Sequence, residues 1–199
     1  MTDRRIELSV EVPGTPDEVW DAIATGPGIT SWFVPMEIDE RLGGQAILDF
    51  GDFGKNTATV TAWEPPHRVV FQGDGEPALA YEWLVEAGGG ASCVVRLVTS
   101  GFGAGEEWDA EIDGQSGGWK LFMANLRLHL THFRGQRARS IIPTTMAPGP
   151  NHAAWARLCE ALGVSGSLQP GDHLDAPMLA GTIVEVAQTP MVSSYLLLL

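Results

Sequence analysis

Five side chains in this sequence have the chemistry to move a proton inside an apolar chamber: Asp49, His67, Tyr81, Asp109 and Glu111. General acid–base work needs such a group turned inward and within hydrogen-bond reach of a ligand. Period-two alternation sets Asp49 opposite Leu48 and Phe50, on the solvent side of its strand. His67 follows Pro65-Pro66 and falls in a turn. Tyr81 shares the apolar side of its strand with Leu79, Trp83 and Val85, where its hydroxyl can orient a ligand. Asp109 and Glu111 reach a chamber mouth only if the acidic stretch 106–118 folds back over it. No two of these form a recognisable pair. Tyr81, Asp109 and Glu111 therefore stand only as candidates for catalysis, with structural roles preferred.

The other chemistry-bearing residues point away from metals and cofactors. His129 and His132 are three apart, but no carboxylate or cysteine sits at ligand spacing, so both read as solvated histidines flanking a helix stripe. Cys93 and Cys159 have no Cys-x-x-Cys neighbour and read as buried, reduced thiols. Residues 101–105 are glycine-rich but are not followed by Lys-Ser or Lys-Thr. No phosphate loop, dinucleotide fingerprint, nucleophile elbow or zinc-protease signature appears. No metal and no cofactor is expected.

The aromatic residues form the more telling set. Trp32, Phe33, Phe50, Phe71, Tyr81, Trp83, Trp119, Phe122 and Met123, with Leu126, can line an apolar pocket with few polar groups. Each alone is equally suited to filling a core; as a set they mark the candidate ligand-binding residues.

The elements that must position them follow from periodicity. Residues 6–12 alternate as a first strand. Thr15-Pro16-Asp17-Glu18 opens a helix with an N-cap, a proline at the first helical position and a capping box. Gly26-Pro27-Gly28 stops that helix, and residues 29–33 form a second short one. Strands follow over 36–41, 45–50, 57–63, 68–72, 79–86 and 92–99, divided by Gly, Pro and Asp turns. A long amphipathic helix, entered through Gly117-Gly118, then runs to Phe133 with a stripe of Trp119, Phe122, Met123, Leu126, Leu130 and Phe133. Leu121, Ala124 and Leu128 lie opposite and suggest a second contact. The basic residues at 134–139 suit a helix C-terminus.

Past a Pro-containing linker at 141–150, Asn151 caps a helix over 152–162 closed by Gly163, and strand-like pieces follow at 182–186 and 192–199. This part is too small for a core of its own and is expected to pack on the main domain or on another subunit. The chain ends on four leucines; such a strand is expected to be paired and buried, or segments are missing near Pro190.

The 199 residues suit one domain with an appendage, and 44% hydrophobic against 19% charged residues excludes global disorder. A formal net charge of -13 opposes binding to nucleic acid or to an anionic membrane. With no apolar run of membrane-spanning length and no apolar leader, the expected location is cytoplasmic.

Three stretches carry a resemblance: Thr15 to Ile23; Ser31-Trp32-Phe33 followed by residues 39–44; and Gly118-Trp119 opening a helix with Leu126 and Leu130. Together they resemble the START-like (SRPBCC, helix-grip) superfamily, in particular the domain related to the C-terminal part of the Hsp90 ATPase activator. The likeness covers about residues 6–133. It implies an α+β fold in which a curved antiparallel sheet wraps a long C-terminal helix around a central cavity. The expected organisation is a helix-grip domain over 1–139 and a helix-plus-strand appendage over 140–199. The preferred function is a noncatalytic protein holding a small hydrophobic or aromatic molecule. Two alternatives remain: an interaction module, cochaperone-like or a homodimer through Leu121, Leu128 and the C-terminal strand; and a cavity enzyme of the cyclase or dehydratase type using Tyr81 with Asp109 or Glu111.

Overall fold

The computed structural model describes residues 4–140, 149–164, 168–177, 179–188 and 194–198. Most of the linker at 141–150 and the residues around Pro190 lie outside them. The chain forms two compact units. The first comprises residues 1–112 and 122–144, the second 113–121 and 145–199.

The first unit holds a seven-stranded antiparallel sheet in the order β1-β7-β6-β5-β4-β3-β2. Its strands are β1 (Ile6–Pro13), β2 (Met36–Ile38), β3 (Gln45–Asp49), β4 (Lys55–Glu64), β5 (Arg68–Gly73), β6 (Ala80–Ala87) and β7 (Ser92–Ser100). The first strand pairs with the last, so β1 and β2 stand at opposite edges and α1 (Pro16–Ala24) and α2 (Gly26–Thr30) make the crossing. A bulge between Val60 and Ala62 adds to the bend of the curved sheet. Alternation puts Val69, Phe71, Trp83, Val85, Cys93, Val95 and Leu97 on the buried face, and Glu86 outward.

The N-terminal helix begins as its residues dictate. Thr15 Oγ1 accepts from Glu18 N while Glu18 Oε2 accepts from Thr15 N, and Pro16 supplies a preset φ. Gly26-Pro27-Gly28 does not end this helix so much as start the next. Thr25 caps α2, its Oγ1 accepting from Gly28 N at 3.0 Å, with Pro27 in the first turn. Glycine is required at 28, because a Cβ there would collide with the Asp21 carbonyl oxygen.

Helix α3 spans Glu107–His132, 26 residues, so it begins within the acidic stretch and runs through Gly117-Gly118 rather than starting there. Met123, Ala124, Leu126 and Leu130 are buried with Val19, Trp20 and Ile23 of α1. Ala124, expected on the far side, is covered too. Phe133 departs from the expected stripe: it is 46% exposed, because at the C-cap its backbone (φ -129°, ψ 17°) has left the helix. An α+β fold with a large curved antiparallel sheet and one long helix is the helix-grip arrangement.

The second unit contains α4 (Asn151–Leu162) and the antiparallel strands β8 (His173–Ala176), β9 (Leu179–Gln188) and β10 (Ser194–Leu198), in the order β10-β9-β8. Asn151 is the first helical residue and Pro150 the cap; Gly163 closes α4 in the left-handed conformation. Val164, Leu174, Ala176 and Ile183 form a small apolar cluster flanked by Cys159, Leu162, Leu168 and Val186. The terminal strand is paired with β9. Among the described residues no helix is long and apolar enough to cross a membrane.

Candidate functional site

The candidate site grows from the residues that leave α2. Trp32 is buried, and its indole Nε1 donates to the Ala22 carbonyl at 2.9 Å, so its polar edge is satisfied while both faces remain free to pack. It meets Trp83 of β6 edge to face, with centroids 5.7 Å apart, and stacks beside Phe33 at 5.8 Å. Phe33 in turn meets Phe50, just beyond β3, at 6.2 Å, and Phe122 of α3 at 4.4 Å, both edge to face. Three otherwise separate parts of the chain thus converge on one ring. The position of Phe33 is pinned from behind: Ser140 Oγ donates to its carbonyl at 2.8 Å, and Asn125 Nδ2 donates to the Trp32 carbonyl at 3.4 Å.

Register supplies a second group of side chains. One lateral row across five strands runs Ile6, Thr99, Tyr81, Phe71 and Val60. The neighbouring row contains Leu97, Trp83 and Val69. Tyr81 and Trp83 therefore stand two residues apart on the same face of β6, joining the row to the ring contacts.

Burial divides the predicted set. Trp32, Phe71, Trp83, Met123 and Leu126 are buried, whereas Phe33, Phe50, Tyr81 and Phe122 are half-buried. Trp119, also half-buried, lies on the stretch of α3 that belongs to the second unit, and the site is built without it.

The candidate acids and bases lie elsewhere. Asp109 is exposed on the first turn of α3, and its carboxylate pairs with Arg4 at 2.7 Å; Arg4 also donates to the Gly105 carbonyl. Glu111 is exposed, as is His67 in its turn. Asp49 accepts from Gly51 N and pairs with Lys55, two contacts that hold its carboxyl below the usual range. Among the described residues, no group of three His, Cys, Asp or Glu side chains is arranged to hold a metal. Cys93 is buried with its thiol directed at the Gly14 carbonyl, and burial pushes its pKa up; Cys159 is half-buried and shifted the same way.

Two residues were not anticipated. His129, expected in solvent, is buried at 7% exposure. The cause is the chain after α3, which turns back over α1 and α2 through Arg134–Glu18, Arg137–Asp21 and Ala138 N to Ser31 Oγ. Burial lowers the His129 pKa, nearby Arg137 lowers it further, and Asp21 opposes them. Thr99 is fully buried and its Oγ1 has no hydrogen-bond partner. Its signal in the sequence is a hydroxyl in the fourth inward place of β7, after Cys93, Val95 and Leu97.

Comparison with known proteins adds to this geometry. The sequence model of a family described as polyketide cyclase / dehydrase and lipid transport matches residues 3–128, more than half of the chain. The uncharacterized protein Rv1546 of Mycobacterium tuberculosis is 31% identical over 86 residues, which cover 38% of this chain and 60% of that protein. The chain thus matches less than two thirds of that relative's length. DynU16, a protein of the dynemicin biosynthetic locus, has a TM-score of 0.58 at 24% identity, covering 68% of this chain and 50% of DynU16. The Aha1 dimer from Colwellia psychrerythraea gives 0.56 at 19% identity, covering 66% and 99%. At these identities the structural likeness is one of fold.

Proposed function

The chain belongs to the polyketide cyclase/dehydrase and lipid-transport family, and from that premise we propose that its first unit holds a small apolar or aromatic molecule between sheet and helix without transforming it. The observation that carries this reading is the continuous set of rings from Trp83 through Trp32 and Phe33 to Phe50 and Phe122. Rings that only fill a core are enclosed on every side. Here Phe33, Phe50, Tyr81 and Phe122 keep part of their surface open while their neighbours are buried. Open aromatic surface supported by a rigid buried layer is what a flat apolar ligand needs. The polar side chains that are buried among the described residues are Thr99 and His129, and neither is a carboxylate. That favours holding a ligand over acid–base turnover by Tyr81, Asp109 and Glu111.

Native mass spectrometry of freshly purified protein, repeated under denaturing conditions, tests the reading. A small mass that accompanies the folded protein and leaves on denaturation supports it; failure of added neutral aromatics to bind at any concentration counts against it.

A homodimer through Leu121, Leu128 and the C-terminal strand is the second reading. Leu121 and Leu128 are each only half covered, and β10 is an edge of its three-stranded sheet. Sedimentation equilibrium with Leu128→Asp checks it: a dimer that this change dissociates supports it, and a monomeric wild type removes it.

A further inference from the structure

Thr99 poses a problem that the ligand-holding role resolves. Its hydroxyl is fully enclosed, at 0% exposure, on the face of β7 that otherwise carries Cys93, Val95 and Leu97. Sheet register places it between Ile6 on β1 and Tyr81 on β6, in the row that continues to Phe71. Tyr81 belongs to the half-open aromatic set, so Thr99 adjoins the proposed chamber from its sheet side. A buried hydroxyl almost always has a partner. Thr99 Oγ1 has none, and Arg96 Nε is the other such side-chain atom among the described residues. The two cases differ. Arg96 points to the opposite face, where its terminal nitrogens pair with Glu7 and Glu86. Thr99 has no further polar atom to compensate. Valine has nearly the same shape and would fill this place without the penalty.

Resting on the ligand-holding role above, we propose that Thr99 is the specificity-determining anchor of the chamber. Its hydroxyl makes one hydrogen bond to a neutral oxygen, a hydroxyl, ether or carbonyl, on an otherwise apolar ligand. The same chemistry argues against a carboxylate-headed ligand such as a fatty acid. No arginine or lysine is among the buried residues described, and an ionised carboxylate enclosed without a cation is strongly disfavoured. A single hydroxyl satisfies a single neutral oxygen and no more.

Three probes of matched shape separate these possibilities: naphthalene, 2-naphthol and 2-naphthoate, measured by equilibrium dialysis at pH 7 against wild type, Thr99→Val and Thr99→Ser. The wild type is expected to bind 2-naphthol about three- to tenfold tighter than naphthalene, the worth of one net hydrogen bond, and naphthoate most weakly. Thr99→Val should abolish the preference with naphthalene affinity kept, and Thr99→Ser should retain it. A preference unchanged in Thr99→Val, or absent from the wild type, overturns the anchor while leaving the chamber standing. Tightest binding of naphthoate overturns the neutral-ligand assignment. If none of the three binds to the wild type, the chamber itself is wrong and the anchor falls with it. Matching circular dichroism of the variants confirms that the comparison is between folded proteins.

Discussion

The rings of Phe33 and Phe122 meet edge to face, with centroids 4.4 Å apart and planes at 82°. One ring follows α2 and the other sits on α3, so this contact ties the crossing segment to the long helix at the open side of the aromatic set. Edge-to-face pairs contribute about 0.5–1.5 kcal/mol beyond their buried area. A double-mutant cycle of Phe33→Ala and Phe122→Ala, measured by urea unfolding, should give a coupling in that range. Each single change should also weaken binding of the neutral dye N-phenyl-1-naphthylamine several-fold. Coupling near zero would mean that the rings are neighbours without being partners.

Thr99→Val makes an opposite demand on stability. Removing an enclosed hydroxyl with no partner removes its desolvation cost, about 1–3 kcal/mol for a typical unsatisfied group. The variant should therefore be at least as stable as the wild type without ligand, and by up to about 1 kcal/mol more stable in urea. A loss of more than about 1 kcal/mol would show that the hydroxyl is satisfied inside the free protein, and would remove the reason for assigning it to a ligand.

The sheet was legible because its strands alternate cleanly and glycine or proline turns separate them; residues 68–72 and 92–99 differ from β5 and β7 by a single terminal residue. The errors share a cause, which is that one residue type serves two ends. Gly26-Pro27-Gly28 has the composition of a stop, yet proline in a first turn also starts a helix, and the choice between them lies in the Thr25 cap. Gly117-Gly118 suggests an entry, but a long helix tolerates two glycines when its flanks are fixed. His129 looked solvated because helical spacing describes only the helix, whereas the chain at 134–140 is what covers it. Strand β8 was missed because His173–Ala176 offers just two inward residues, Leu174 and Ala176. For the site, the aromatic residues were legible by type, and their convergence on Phe33 was not, since it depends on crossings between distant segments.

His129 should give the protein a pH dependence of defined sign. Its folded pKa lies below the ordinary 6.5, chiefly from burial, with Arg137 adding to the shift and Asp21 opposing it. The unfolded chain therefore takes up the proton first as pH falls. The contribution to stability is complete above about 6.5 and is lost as pH drops through the folded pKa. Carboxylates titrate lower in the range, so the informative quantity is the difference in melting temperature between wild type and His129→Leu. Between pH 7.5 and 5.5 the wild type should lose more than the variant. Parallel profiles would place His129 in contact with water.

Thr15→Ala tests the start of α1. The change removes the side-chain half of the capping box and should cost about 1 kcal/mol. Glu18, which accepts from Thr15 N and faces Arg134, has a depressed pKa, mainly through that backbone hydrogen bond. Its contribution is therefore present above its ordinary value near 4.5 and is lost as pH falls through the folded one. Glu18→Gln should flatten the acid limb of the stability profile, while Thr15→Ala lowers the curve at every pH. A Thr15→Ala protein as stable as the wild type at pH 7 would show that α1 is fixed by packing of Val19, Trp20 and Ile23 alone.

Two glycines in helices should respond to alanine with opposite signs. Gly118 lies inside α3, and a Cβ built on it meets no atom within 4 Å. Alanine there removes unfolded-state entropy at no steric cost and should stabilise by about 0.5–1 kcal/mol. Gly28 is also helical, but its Cβ would strike the Asp21 carbonyl, and even the Ala22 Cα lies only 2.9 Å away. Gly28→Ala must push α2 off α1, disturbing the Thr25 cap and the Trp32 bond to Ala22. It should destabilise by about 1–3 kcal/mol, as overpacking of a close contact does, and should weaken dye binding because Trp32 and Phe33 follow α2. Urea unfolding of the two variants beside the wild type decides the matter. Stabilisation by Gly28→Ala would mean that α1 and α2 are not in contact at this point, and loss of stability in Gly118→Ala would mean that α3 does not run as one helix through its glycine pair.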